Sequence, residues 1–145
     1  MTTVRHILDI KGHAVFTVRP DDTVADALRV MADKDIGAVL VTNGDRVVGI
    51  FTERHYARRV FLKGRTSPTT LVRDVMVKDV IYVEPDQTVD ACMALMAAKR
   101  IRHLPVLSGG TLVGIISIGD LMKSALADRE FNIEQLVLYV GGIRG

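Results

Sequence analysis

Hydrophobic and polar positions follow the same order twice along this chain. In each half a short β-branched run comes first, then an amphipathic helix, then two short apolar runs on either side of a glycine-containing turn, and a second helix. The predicted strands cover residues 14–18, 38–41 and 47–51 in the first half, and 80–83, 104–107 and 112–116 in the second. The second helix of each half is predicted to begin near Arg54 and Gly119. Each half is therefore predicted to be a β-α-β-β-α unit.

The first helix of each half has a clear start and one apolar face. Thr23 and Thr88 precede the helices and are typical N-cap residues, whose hydroxyls accept hydrogen bonds from free amides. Apolar residues recur at the i, i+3, i+4, i+7 spacing of a buried stripe. They are Val24, Ala27, Leu28 and Met31 in one half, and Val89, Cys92, Met93 and Met96 in the other.

The two halves are an internal repeat. Residues 17–59 align with 82–124 at a constant offset of 65, with 14 identities in 43 positions. Further upstream, Val4 matches Val72 at an offset of 68, so three extra residues are predicted in a loop around 11–13. We assign residues 1–70 to the first repeat, 71–130 to the second, and 131–145 to an apolar tail, predicted to be a helical contact segment.

This organisation predicts an α/β fold of the α+β type. One unit would leave an apolar sheet face bare, and two units can bury those faces against each other about a pseudo-twofold axis. Packing through the sheets would leave two related clefts at the joint, and crevices of this kind are common small-molecule sites.

Composition narrows the functional class. The net charge is only +2 and there is no Trp, which argues against a nucleic-acid-binding surface. No segment approaches the roughly 20 apolar residues that a membrane span needs, and the start does not resemble a signal peptide. A single Cys excludes an internal disulfide and a multi-thiolate metal site. We expect a cytoplasmic protein without a metal or a catalytic cofactor.

Three motifs then indicate a family. Pro-Asp-x-Thr-Val begins at residues 20 and 85, an Arg-His-Leu-Pro-Val segment spans residues 102–106, and a Gly-hydrophobic-x-Ser-x-x-Asp signature ends at residue 120. In register and repeated, they resemble a tandem pair of cystathionine β-synthase (CBS) domains, a Bateman module. The resemblance implies a non-catalytic sensor of AMP, ADP, ATP, NAD or S-adenosylmethionine that signals to a regulated protein partner, and commonly a homodimer.

In the second repeat, the predicted site centres on Ser117 and Asp120. Ser117 lies where a strand meets a helix, and its hydroxyl together with helix N-terminal amides favours a phosphate. Asp120 lies one turn later and can accept hydrogen bonds from both hydroxyls of a ribose. The structural alternative is that Ser117 caps the helix and Asp120 offsets its dipole.

The first repeat departs from this pattern. It retains a hydroxyl at Thr52 but has His55 in the aspartate position. A neutral imidazole has one acceptor and a protonated one has none, so we expect a weaker ribose site here. Arg54 and a protonated His55 could instead contact extra phosphates, with tighter binding below about pH 6.5. The alternative is a degenerate site.

Five further groups complete the predicted nucleotide site. The resemblance implies that Arg102 and His103 reach phosphates, and their counterparts in the first repeat are Gly37 and Ala38. The adenine pockets would be lined by two short segments, mainly through backbone groups and apolar side chains. These segments are Ala14, Val15 and Phe16 in the first repeat, and Lys78, Asp79, Val80 and Ile81 in the second. Pro105 of the Arg-His-Leu-Pro motif is also predicted to be part of the nucleotide site.

Two other functions compete with this hypothesis. The histidines together with Ser117 and Asp120 include the residue types of a nucleotide-hydrolysing enzyme, but no Gly-x-Ser-x-Gly or His-x-x-x-His spacing occurs. A nucleic-acid-binding protein is the second alternative, disfavoured by the low net charge. We therefore predict no catalytic residues.

Overall fold

A computed structural model describes the backbone of residues 1–144 and the side chains of residues 1–130 and Glu134. The helices are α1 (Val4–Lys11), α2 (Val24–Lys34), α3 (Glu53–His55, continued by a π-helical turn at Tyr56–Phe61), α4 (Val89–Lys99) and α5 (Ile118–Arg144), with a 3-10 turn at Val72–Asp74. The strands are β1 (Thr17–Val18), β2 (Ala38–Asn43), β3 (Arg46–Thr52), β4 (His103–Ser108) and β5 (Thr111–Ser117).

Each repeat is built on an antiparallel hairpin, as predicted. β2 pairs with β3, and β4 pairs with β5, and both hairpins shift register at equivalent places, after Val41 and after Val106. Thr23 and Thr88 cap α2 and α4, because their hydroxyls accept from the amides three residues later at 3.1 Å. The mixed α/β fold and its two repeats are thus confirmed.

The first strand of each repeat is shorter than predicted. Only Thr17–Val18 pairs in parallel with β2, and the predicted strand 80–83 contributes a single bridge from Val83 to Val106. Upstream of these points the chain leaves the sheet edge. Val15 and Val80 pack instead into the layer between the two sheets, so the segments run along the joint rather than extending the sheets.

The two sheets pack face to face through a small central cluster. Ala38, Leu40 and Ile50 of the first repeat are buried there, with Leu112 and Ile115 of the second packed against them. On its other side, each sheet is covered by the helices of its own repeat, which form most of a separate core for each repeat. Packing through the sheets is therefore confirmed.

Each repeat's core is completed by the segment that precedes the other repeat. Val4 and Leu8 of α1 are buried with the second repeat, whereas Val72 and Val75 are buried with the first. The backbone bonds are equivalent: the Val4 amide donates to the Gln87 carbonyl at 2.9 Å, and the Val72 amide to the Asp22 carbonyl at 2.8 Å. The crossed segments tie the two repeats into one unit.

Glycines allow these crossed segments to approach the sheets closely. A Cβ at Gly114 would lie 2.7 Å from Leu8 Cδ2, and a Cβ at the equivalent Gly49 would lie 2.5 Å from Met76 Sδ. Both distances are far below van der Waals contact, so any larger residue would displace the crossing segment.

The predicted loop around residues 11–13 begins at Gly12, because α1 runs to Lys11 and ends at Gly12 with φ of 99°, and residues 12–16 have no regular secondary structure. The helix α1 itself was not predicted, although Val4, Ile7 and Leu8 give it a buried face at helical spacing. The helix delivers Lys11 to the joint between the repeats.

At the other end of the chain, α5 continues into the predicted tail, and its backbone is helical to Arg144. A contact role for residues 131–145 stays a prediction, because their side chains, apart from that of Glu134, lie outside the described residues. Within the described part of the chain, no helix combines the length and apolar character needed to cross a bilayer.

Candidate functional site

Two cavities lie at the joint between the repeats. The first, which we call the Asp120 cavity, has a volume of about 380 Å³. It is bounded by the end of α1, the segment before β1, the start of β2 and the start of α5. Its lining residues include Lys11, Ala14, Phe16, Asp35, Gly37, Ala38, His103, Ile115, Ser117 and Asp120.

The second cavity, which we call the His55 cavity, is the counterpart on the other side of the pseudo-twofold axis. Its volume is about 210 Å³. It is bounded by the start of α3, the segment before Val83 and the end of α4. Its lining residues include Gly37, Thr52, Glu53, Arg54, His55, Asp79, Val80, Ile81, Arg100, Arg102 and His103.

In the Asp120 cavity, a reciprocal capping box fixes the aspartate. The Ser117 amide donates to Asp120 Oδ2 at 2.8 Å, and the Asp120 amide donates to Ser117 Oγ at 3.2 Å. The structural alternative considered above, a helix cap, is therefore present. It does not exclude a ligand role, because a carboxylate has two oxygens and only Oδ2 takes part in the cap.

Lys11 is a further partner of the same carboxylate. Its ammonium group donates to Asp120 Oδ2 at 2.8 Å and to the Ile115 carbonyl at 2.8 Å. Burial raises the pKa of Asp120, but the hydrogen bonds from Lys11 and Ser117 outweigh it and hold that pKa below its usual value. Asp120 is thus an anion at neutral pH.

In the His55 cavity, His55 forms the same capping box with different chemistry. The Thr52 amide donates to His55 Nδ1 at 3.1 Å, and the His55 amide donates to Thr52 Oγ1 at 3.2 Å. Nδ1 is therefore the acceptor, and the ring proton belongs on Nε2. His55 replaces the aspartate as a cap, but the rest of its ring offers a donor.

The structure favours a neutral His55 over the protonated state considered above. Burial, followed by the positive charges of Arg59, Arg54 and Arg58, lowers the pKa of His55 to about 4. Protonation would also require loss of the hydrogen bond that Nδ1 accepts. Tighter binding below about pH 6.5 through a cationic His55 would therefore require a bound phosphate to raise this pKa.

The amides at both helix starts are largely occupied. Besides the two capping bonds, the Ile118 amide donates to the Arg102 carbonyl at 2.8 Å, and the Glu53 amide donates to the Gly37 carbonyl at 3.1 Å. An amide cradle for phosphate, as the sequence suggested, would have to break these bonds. Side-chain cations are better placed to bind a phosphate in either cavity.

The cavities differ in charge. Arg54, Arg100 and Arg102 line the His55 cavity, together with two acidic residues. Arg54 Nη1 also donates to the Arg100 carbonyl at 3.1 Å, which links α3 to the end of α4. The Asp120 cavity has two carboxylates and a single Lys or Arg among its described lining residues. One cavity is therefore net positive and the other net negative.

The comparison with known proteins agrees with the architecture. The profile of the CBS domain family matches residues 4–61 and 72–127, which are the two repeats. The chain belongs to the CBS domain family. A mitochondrial CBS domain-containing protein of Arabidopsis thaliana, CBSX3, is 33% identical over 97% of this chain and 73% of its own length.

Solved structures of CBS proteins share the fold. A signal-transduction protein with CBS domains from Burkholderia ambifaria is 54% identical, with a TM-score of 0.85 over 88% of this chain and 96% of that one. The CBS domain pair of protein MJ0100, solved with 5′-methylthioadenosine and S-adenosylmethionine, is 20% identical. Its TM-score is 0.78 over 88% of this chain and 98% of that one. At this level of identity the similarity concerns the fold alone.

His103 and Gly37 line both cavities of this CBS pair, so they form the wall between them. A Cβ on Gly37 would lie 3.6 Å from His103 Nε2. Burial lowers the pKa of His103, with a further contribution from Lys11, and the opposing effect of Asp120 is smaller. A neutral imidazole thus separates the two sites.

Most of the residues predicted from the sequence of the CBS repeats line one of the two cavities. Three do not: Val15 packs in the central cluster, Pro105 is buried in β4, and Lys78 faces a separate surface depression beside Arg59 and Arg73. Sequence reasoning missed Lys11, Asp35 and Arg100. Asp35 and Arg100 occupy equivalent helix ends with positive φ, and an alignment of the repeats could have found them.

Within the part of the chain whose side chains the structure describes, no three His, Cys, Asp or Glu side chains cluster closely enough to hold a metal ion. The chemistry of the two cavities is instead that of hydrogen-bonding and charged groups beside apolar walls.

Proposed function

We propose that this CBS pair is a non-catalytic regulatory module that binds an adenine nucleotide in the Asp120 cavity. The observation that carries the proposal is the Asp120 carboxylate, held at the start of α5 by the Ser117 amide and facing a cavity between the repeats. An anchored anion of this kind accepts hydrogen bonds from the two hydroxyls of a ribose with little loss of side-chain entropy.

The rest of the cavity suits a purine. Phe16, Ile36 and Ile115 contribute apolar surface, and the irregular segment at Ala14 exposes backbone donors and acceptors that could pair with an adenine edge. AMP, ADP, ATP, NAD and S-adenosylmethionine all present adenosine and are the candidate ligands. The CBS pair of MJ0100 holds adenosine-containing ligands in the same fold.

The His55 cavity is proposed to be a weaker or different site. His55 presents a donor where Asp120 presents an acceptor, so a ribose diol gains less there. The three arginines favour a ligand with more negative charge than a monophosphate. We infer that the two cavities of one module differ in ligand preference.

We also propose that the module forms a homodimer. Phe61 and Leu126 occupy equivalent positions of the two repeats and are 68% and 55% exposed, with Met122 one turn before Leu126. Two apolar patches related by the internal pseudo-symmetry suit a symmetric partner. Light scattering at tens of micromolar should give the mass of a dimer, and a clean monomer would contradict this. A regulated protein partner and a cytoplasmic location stay predictions.

A thermal-shift panel tests the central proposal. At about 100 times its Kd, a ligand adds about 2.7 kcal/mol to the free energy of unfolding, which for this size raises Tm by about 5–10 °C. We expect an adenine nucleotide to do so, and guanine nucleotides to have a smaller effect. The ligand should be recovered intact after long incubation. No shift with any adenine compound would refute nucleotide binding, and a hydrolysed ligand would refute the non-catalytic role.

A further inference from the structure

Lys11 occupies the position that a ribose would need. Its ammonium lies 2.8 Å from Asp120 Oδ2 and 2.8 Å from the Ile115 carbonyl, and its side chain is 36% exposed against 21% for that of Asp120. Asp120 Oδ2 already accepts from the Ser117 amide. Oδ1 takes no part in these bonds, so a ribose diol that uses both carboxylate oxygens competes with Lys11 for Oδ2.

The backbone of Lys11 is held in place by the packing of α1 on the second repeat. Lys11 ends α1, which is anchored to the second repeat by Leu8 in close contact with Gly114. Displacement of the ammonium from Asp120 therefore leaves it tethered beside the same cavity. A flexible four-carbon side chain lets it move to a new anion a few ångströms away.

The charge balance of the cavity makes this movement selective. Among its described lining residues Lys11 is the one Lys or Arg, and Asp35 and Asp120 are both acidic. The amides of Ser117, Ile118 and Asp120 already have acceptors. Among the lining residues, Lys11 is therefore the cation that can compensate the charge of a phosphate in this cavity.

Among the described lining residues of the His55 cavity there is no lysine. The counterpart of Lys11 in the second repeat is Asp79 at the offset of 68 and Met76 at the offset of 65, so the internal repeat does not account for this lysine.

We propose that Lys11 is a specificity-determining residue of the Asp120 cavity: it competes with an uncharged nucleoside for Asp120, and it is drawn to the phosphate of a nucleotide. This rests on the proposed adenine-nucleotide function and adds a preference for anionic ligands. An uncharged nucleoside that uses both carboxylate oxygens weakens the Lys11–Asp120 pair and offers Lys11 no anion in its place. A nucleotide replaces that pair with a Lys11–phosphate pair.

Calorimetric titration with AMP and with adenosine tests the proposal. Wild-type protein should bind AMP at least about tenfold more tightly than adenosine, since a charged hydrogen bond accounts for such a factor. In Lys11→Met, AMP should weaken by about tenfold, adenosine should bind as well or better, and the ratio should approach one. Lys11→Arg keeps the charge and should keep most of the preference. Asp120→Ala identifies which component of the isotherm belongs to this cavity.

The matched control is Lys123→Met, which removes an exposed lysine from the same helix as Asp120 and should leave the ratio unchanged. Lys11→Gln is a second neutral variant, and thermal unfolding checks that each variant folds. An AMP-to-adenosine ratio in the neutral variants equal to that of the wild type would overturn the role of Lys11. Failure of AMP and adenosine to bind the wild type would overturn this proposal, and failure of every adenine compound in the thermal-shift panel would overturn the proposed function with it.

Discussion

The starts of α3 and α5 have almost the same backbone and opposite ligand chemistry. Thr52 with His55, and Ser117 with Asp120, make the same two capping hydrogen bonds, between 2.8 and 3.2 Å. In α5 the third helical residue is an anion with a second oxygen to offer. In α3 it is a neutral imidazole whose remaining nitrogen is a donor.

The comparison separates two roles of the third helical residue, capping the helix and binding a ribose, which Asp120 can combine. A helix cap needs a single acceptor for one amide, and either Nδ1 of a histidine or one carboxylate oxygen supplies it. A ribose diol needs acceptors beyond that one. Replacement of aspartate by histidine therefore preserves the fold of the repeat while changing what its cavity can bind.

Among the changes that test this comparison, removal of the Asp120 carboxylate should have the largest effect on nucleotide binding. Asp120→Ala should weaken AMP binding by about 10- to 100-fold, because each hydrogen bond from a ribose hydroxyl to a carboxylate contributes about 1.5–3 kcal/mol. His55→Ala should leave the strong site nearly unchanged. Titration calorimetry measures both.

Asp128→Ala is the control on the same helix, since Asp128 accepts from Thr2 Oγ1 at 2.7 Å and does not line the cavity. Equal losses in Asp120→Ala and His55→Ala would mean that the two cavities are equivalent, contrary to the comparison.

Conversion of the weaker site should have the next largest effect. His55→Asp keeps an acceptor for the Thr52 amide and adds a ribose acceptor beside Arg54, so we expect the His55 cavity to bind a nucleotide about tenfold more tightly. The number of sites per chain from calorimetry is the measurement.

His6→Asp is the matched control for this change. His6 Nδ1 accepts from the Thr3 amide at 3.2 Å in the same capping geometry at the start of α1, and His6 lines neither cavity. An equal gain in His6→Asp, or none in His55→Asp, would show that the residue at position 55 does not set the ligand preference.

The smallest expected effect is on stability against pH. The pKa of His55 is lowered from 6.5 to about 4, so the folded state binds fewer protons than the unfolded state between these values. The neutral His55 therefore adds to the free energy of unfolding in full above about pH 6.5, and this stabilisation is lost as the pH falls towards 4. With allowance for partial exposure it is on the order of 1 kcal/mol, or about 2–4 °C in Tm.

His55→Gln isolates this effect, because the Gln amide oxygen can still cap the helix but does not titrate. His103, whose pKa is also lowered, is common to both proteins and cancels in the difference. Melting curves at pH 7 and pH 4.5 should therefore converge for the variant more than for the wild type. The same change of Tm with pH in the two proteins would mean that a group other than His55 takes up the proton.

The repeat, its hairpins and its capped helices were determined by the sequence itself. Thr23 and Thr88 cap their helices through local hydrogen bonds, and the Gly44-Asp45 and Gly109-Gly110 turns depend on local backbone angles. Interactions between residues close in the chain produce recognisable sequence patterns, and here each pattern occurs in both repeats. The pairing of Ser117 with Asp120, three residues apart, is also a local interaction of this kind.

Only the tertiary structure decided the crossing of α1 onto the second repeat, and with it the position of Lys11 beside Asp120. These residues are 109 positions apart, and the contact depends on Leu8 fitting against Gly114. The pKa of His55 likewise depends first on burial, although the arginines that lower it further are neighbours in the chain, at positions 54, 58 and 59. Long-range contacts and burial leave no periodic signal in a single chain, so no pattern along the sequence could have revealed these two factors.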